Sequence, residues 1–284
     1  MLSKEEIWSK VEDFPTLPTI YTRMVEAISN PRTTVQDVAD IIIKDQASTA
    51  KILKVVNSPL FGIQKTVNNV TDAIFFLGFN EVKNIVLTLS VMDMFSDTDS
   101  FDSFNVVDLW KHSIAVAIIS KLLAVNLKFR NTEDFFISGI IHDIGILFYI
   151  KNYGEDYNKV FIKAFENNQP VTLYEREVFG YTHYSIGEMI GSKWKLPADL
   201  KNVIKHQSNG SIDGRMDTLV SCVHLANIIS HIMKLDYHKN RPVEMPNFPI
   251  WNSLHFNPGA LRNLYHPIMD LYNQSTTILQ LKKS

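Results

Sequence analysis

Residues 138–150 read SGIIHDIGILFYI, and they decide the fold. Ile140, Ile141, Ile144, Ile146, Leu147 and Phe148 are apolar with no strand-like alternation, so the run reads as one buried helix beginning near Glu133. Gly139 and Gly145 let other backbones come close. Into this apolar setting the chain places His142 and Asp143 side by side. A lone buried charge is too costly to keep, so the pair must be ion-paired, hydrogen-bonded or metal-bound. The rest of the sequence has to supply what meets it.

Outward from that stretch, helical periodicity recurs and strand alternation is nearly absent, which predicts an all-α, two-lobed helical bundle. Ser3 with Glu6 starts a short helix running to Val11. Extended chain from Phe14 to Leu17 leads to Pro18 as the first residue of a helix with stripe Ile20, Met24 and Ile28. Thr34 with Asp37 caps the next, and segments 48–56, 72–77 and 81–95 follow, with Gly78 ending the second of these. Residues 96–104, SDTDSFDSF, are an acidic, serine-rich connector. Beyond it, helices are predicted at 106–125, 133–150, 157–166, 173–179, 183–194, 197–206 and 218–232, with a last one around 261–271. The expected organisation is an amino-terminal bundle over 1–95, the connector, a helical core over 105–235, and a proline- and asparagine-rich tail over 236–284.

Composition narrows the function classes. With 284 residues the chain can bury a substantial core. Its net charge of −2, with acidic and basic residues interspersed, offers no footprint for nucleic acid. The single cysteine, Cys222, rules out an intramolecular disulfide framework. The start, MLSKEEIWSKVEDF, has no apolar signal core, and no uninterrupted apolar run approaches the roughly 20 residues of a membrane span. A cytoplasmic protein with no membrane partner is expected.

Four further histidines fall in predicted helices of the second half. His112 shares a stripe with Leu109, Val116, Ile119 and Leu123; His183 heads one of Ile186, Gly187, Ile190 and Trp194. His206 lies three residues past Val203, and His224 shares a face with Val220, Val223 and Asn227. Singly, each reads as a histidine making one hydrogen bond. Together, imidazoles and a carboxylate projecting inward from several helices are the way a metal site is built in a bundle. Such a site can bind one or two divalent ions and activate water toward a phosphoester. His231, His238, His255 and His266 show no comparable pattern. Phosphate-cradling, dinucleotide and nucleophile-elbow motifs are absent.

A series of blocks carries a family likeness: Phe14-Pro15-Thr16-Leu17-Pro18, residues 47–53 leading into Asn57-Ser58-Pro59-Leu60-Phe61-Gly62, Asp72-Ala73-Ile74 through Leu77-Gly78, Trp110-Lys111-His112-Ser113, residues 139–145, His183-Tyr184-Ser185-Ile186-Gly187, Trp194-Lys195-Leu196-Pro197 and Val223-His224-Leu225-Ala226. In this order, from Phe14 to about Asn227, they resemble the HDOD family, bacterial signalling domains related to the HD phosphohydrolases. The resemblance implies an HD-like carboxy-terminal core and a signal-transduction output or scaffold role through other signalling proteins.

It also implies a metal-ligand set of His112, His142, Asp143, His183 and His206 for a divalent transition metal (iron, manganese, zinc or similar), mono- or binuclear. Three departures weaken catalysis. Asn227 stands where HD hydrolases have a last aspartate, Ile146 where the cyclic-di-GMP phosphodiesterases have a lysine, and Gln207 where they have a second histidine. The leading expectation is therefore a non-catalytic interaction module with a degenerate HD-type site. The alternative is a metal-dependent phosphohydrolase acting on a nucleotide or cyclic dinucleotide, with Asp143 bridging metals or orienting water.

Overall fold

Thr34, Asp45, Asn69, Asn105, Thr182 and Asp217 each accept from a main-chain N–H at the start of a helix, Thr34 as the sequence predicts. The computed structural model describes residues 4–96, 101, 105–235, 247–254 and 258–275. Among these the protein is all-α except for one short hairpin of β1 (Ser211–Ile212) and β2 (Arg215–Met216). The helices are α1 (Lys4–Glu12), α2 (Thr19–Ile28), α3 (Val35–Ile43), α4 (Gln46–Val56), α5 (Val70–Met94), α6 (Val106–Asn126), α7 (Glu133–Ile141), α8 (Ile144–Glu166), α9 (Val171–Phe179), α10 (His183–Lys193), α11 (Ala198–His206), α12 (Thr218–Ile232), α13 (Phe248–Ser253) and α14 (Pro258–Ser275). They form two compact units, one of Thr16–Ser96 with Met269–Ser284, the other of Met1–Pro15 with Asp97–Ile268. The expected 96–104 connector lies outside the described residues except for Ser96 and Phe101, as does the whole 236–246 stretch of the tail.

In the first unit α2, α3 and α4 pack on α5 and on one another. Thr34 and Asp37 form a reciprocal capping box on α3, and Asp45 accepts from the Ser48 N–H at the start of α4. Asn57 holds the loop after α4: its amide donates to the carbonyls of Leu53 and Val67, and its oxygen accepts from the Val67 N–H, each at 2.8 Å. Helical turns run on both sides of Gly78, which breaks α5 at φ 81 and ψ 167, a region open essentially to glycine alone. By length and apolarity α5 could cross a membrane, yet 56% of its most apolar window is buried inside the protein.

The second unit holds the predicted site. Residues 4–15 stand with it and not with the amino-terminal bundle in which their sequence position places them. Lys193 donates to the carbonyls of Val11, Glu12 and Phe14, and the Trp194 indole donates to that of Pro15. Phe14 packs near Phe148, with ring centroids 5.5 Å apart. Two glycines set the closest approaches. A Cβ on Gly139 would overlap the backbone of Ala117 in α6, and one on Gly145 would overlap the His183 carbonyl in α10. Those contacts draw α6, α7, α8 and α10 onto one centre.

The single helix expected over 133–150 is two. It breaks at His142 and Asp143, where Asp143 has φ −102 and ψ 23 and precedes α8. In an unbroken helix the Ile146 N–H would bond to the His142 carbonyl. Instead Ile146 donates to the Asp143 carbonyl at 2.9 Å, and the His142 carbonyl accepts from the Gln207 side chain at 2.6 Å. The apolar residues on both sides are buried, so nothing in hydrophobicity marks the break.

Candidate metal centre

Three imidazoles converge on one carboxylate. His142 Nε2 is 3.2 Å and His112 Nε2 3.8 Å from Asp143 Oδ2, and His183 Nε2 is 3.7 Å from Oδ1. The ligand atoms of His112, His142 and Asp143 all lie within 4.8 Å of one another. His112 comes from the middle of α6, the His142–Asp143 pair from the α7–α8 junction, and His183 from the first turn of α10.

In each ring the other nitrogen is already engaged. His142 Nδ1 donates to the Gly139 carbonyl at 2.7 Å. His112 Nδ1 is 3.3 Å from Ser230 Oγ, whose own proton goes to the Asn227 carbonyl at 2.7 Å, so the serine oxygen accepts from the histidine. His183 Nδ1 faces both carboxylate oxygens of Glu175 at 2.8 and 2.9 Å. With the protons on Nδ1, all three rings direct an Nε2 lone pair at Asp143, the tautomer that outer partners impose on metal-bound histidines.

Lone pairs and a carboxylate facing one another out of water require a cation between them. The donor set passes that test for a metal. His142 Nε2 and Gln207 Oε1 are buried with no hydrogen-bond partner. The donor separations bracket the roughly 3.3–3.5 Å edges of a four-coordinate ion bound at about 2.0–2.2 Å. The group is thus one that can hold a metal ion.

Of the five predicted ligands, the structure brings together His112, His142, Asp143 and His183. His206 ends α11 half-buried and does not join the group; the next residue, Gln207, does, its amide 3.4 Å from Asp143 Oδ1. The helix stops at His206, and the turn swings Gln207 inward instead. His224 is a structural histidine: Nδ1 donates to the Gln207 carbonyl at 2.8 Å and Nε2 accepts from the Asn247 N–H at 3.4 Å. Asn227 is half-buried with its Oδ1 unpartnered, and Ile146 is fully buried among core side chains.

Glu175 has no place in the sequence reading, and His231 is set aside there as showing no comparable pattern. His231 stacks on His112 with centroids 5.1 Å apart and planes at 18°. Its spacing of seven from His224 placed it on the same helix face, a signal that was present. Glu175 carried none, because a turn at Gly180 separates it from its histidine.

An all-α core with a His–Asp pair at a helix break, met by histidines from two other helices, defines the HD-like class of helical proteins. The HDOD domain profile matches residues 14–210, and the chain belongs to that family. It is similar in fold to an HDOD domain protein of unknown function from Geobacter sulfurreducens, at TM-score 0.80 and 22% identity, over 97% of this chain and 99% of that one. A Marinobacter aquaeolei protein provisionally named a signal transduction protein matches at TM-score 0.78 and 16% identity, over 99% of this chain and 66% of that one. A Shewanella amazonensis protein provisionally named a metal-dependent phosphohydrolase matches at TM-score 0.66 and 18% identity, over 96% of each chain. In sequence the chain is 25% identical over 224 residues to an uncharacterised protein of Treponema pallidum, covering 78% of this chain but 43% of that protein. It therefore spans less than half the length of the curated relative it matches.

Proposed function

We propose that the protein is a signalling module that acts through other signalling proteins, and that its His–Asp centre holds a divalent transition metal as a structural clamp. The burial of the donor set carries this reading: His112 and His142 are 0% exposed, His183 4% and Asp143 5%. Structural metal sites are closed, whereas hydrolytic ones keep a position open for water and substrate. Gln207, 1% exposed, lies against Asp143 and takes up space beside the carboxylate. Where a phosphate-gripping lysine is expected, the side chain is the buried Ile146.

His112, His142, Asp143 and His183 would hold the ion, and mixed imidazole and carboxylate donors suit zinc, iron or manganese. Bound there, the metal supplies positive charge that joins α6, the α7–α8 junction and α10. The protein's own groups do the rest: Gly139, Ser230 and Glu175 orient the rings, and Gln207 fixes the break that exposes the pair to them.

The donor chemistry itself favours a second reading, a metal-dependent phosphohydrolase of nucleotides or cyclic dinucleotides, since neutral imidazoles with one carboxylate also serve water activation. One experiment separates the two. Protein purified without chelator is analysed for metal, then assayed against nucleotides, cyclic dinucleotides and a generic phosphodiester. Stoichiometric metal without turnover is expected, with the metal lost in Asp143→Ala. Turnover that Asp143→Ala abolishes would overturn the signalling reading, and metal-free wild-type protein would overturn the clamp.

A further inference from the structure

We infer that Glu175 is the positioning residue of the centre: it locks His183 as the Nδ1–H tautomer and so turns Nε2 into a donor aimed at Asp143. This rests on the reading of the centre as a metal site and assigns one of its outer residues. Glu175 is 0% exposed, and donors meet both oxygens of its carboxylate. The Tyr157 hydroxyl donates to Oε1 at 2.6 Å, the His183 main-chain N–H donates to Oε2 at 2.8 Å, and His183 Nδ1 faces both oxygens. A carboxylate accepts and does not donate, so the proton between it and the ring belongs to Nδ1.

The same contacts show why this is more than a helix cap. The chain turns at Gly180, φ 77, and brings α9 back against the start of α10. There Oε2 satisfies one of the first main-chain N–H groups of α10, which have no partner within the helix. A cap needs no more than that. The other oxygen, Oε1, accepts from the Tyr157 hydroxyl and faces the ring at Nδ1. His183 Nε2 stands 3.7 Å from Asp143 Oδ1, longer than a direct N–H···O bond and a spacing that a shared metal ion would fill.

The test uses glutamine, which keeps the shape but offers one donor. In E175Q the amide oxygen can still cap the His183 N–H, while the amide N–H₂ faces Nδ1 and drives the proton to Nε2. The full chain, labelled with ¹⁵N-histidine and stripped of metal, is examined by long-range ¹⁵N–¹H correlation. Zinc affinity is then measured by competition with a chromophoric chelator. The wild type is expected to show a bare Nε2 on His183. E175Q is expected to show protonated Nε2 and zinc binding weakened about 10- to 100-fold. If E175Q loses thermal stability but keeps both the wild-type tautomer and the wild-type zinc affinity, Glu175 is only a cap and the inference fails. Should E175Q not fold, the wild-type tautomer decides: a proton on Nε2 overturns the inference with no variant needed. Failure of wild-type protein to bind zinc would remove the metal reading alone, because the tautomer is read on metal-free protein.

Discussion

At the scale of single residues, Gly145 sets how closely two of the elements that build the centre approach. Its missing Cβ lets the start of α8 lie against the His183 carbonyl, which sets where that imidazole sits relative to Asp143. Gly145→Ala is therefore expected to cost about 1–3 kcal/mol through overpacking, read from the urea midpoint, and to lower metal stoichiometry in the same sample. Retained stoichiometry at wild-type stability would show that the contact relaxes freely. Residue identity was largely legible in the sequence: apolar surroundings flagged His142–Asp143 as a pair needing partners, and helical spacing nominated His112 and His183. Side-chain direction at element ends was not. His206 and Gln207 are adjacent, and only the end of α11 between them decides which one turns inward. Glu175 reaches His183 across a turn, beyond the range of any helical periodicity.

At the scale of elements, capping governs where the chain starts its helices, and it carries a pH dependence. Hydrogen bonds from the Ser48 side chain and N–H hold the Asp45 carboxyl below its usual range, and those from Thr34 do the same for Asp37. A carboxyl whose pKa is lower in the folded chain contributes stability fully above its unfolded value of about 3.9, and that contribution is lost as pH falls through the folded value. Urea midpoints should fall as the pH is taken from 6 toward 3. Asp45→Ala should cost about 0.5–2 kcal/mol at pH 6 and show a shallower fall. An equal slope in the variant would remove Asp45 from the account. The cap at Thr34 was readable because Thr34 and Asp37 stand at fixed offsets from an apolar stripe, whereas Asp45 caps a helix that the sequence reading starts at Ser48. The break at His142–Asp143 was hidden for the opposite reason: what interrupts the helix is Gln207, arriving from another part of the chain to take a main-chain carbonyl.

At the scale of the whole molecule, a clamp that binds only the folded chain must raise its stability by mass action. With free metal about 1,000-fold above its dissociation constant, the gain is about 4 kcal/mol, on the order of 10 °C in Tm for a unit of this size. Chelation should remove that increment from the wild type and leave Asp143→Ala unmoved; an identical response in both would place the metal elsewhere. The way the centre is assembled also bears on the order of folding events. Ser230 and the His112 ring it orients are 118 positions apart, and His183 comes from yet another helix. Long loops must close before these groups meet, so the donor set can be complete only late on the path to the native state. An ion recruited at that stage would do little to hasten folding and would instead act as a latch on the finished unit, lengthening its lifetime by slowing the rate at which it opens.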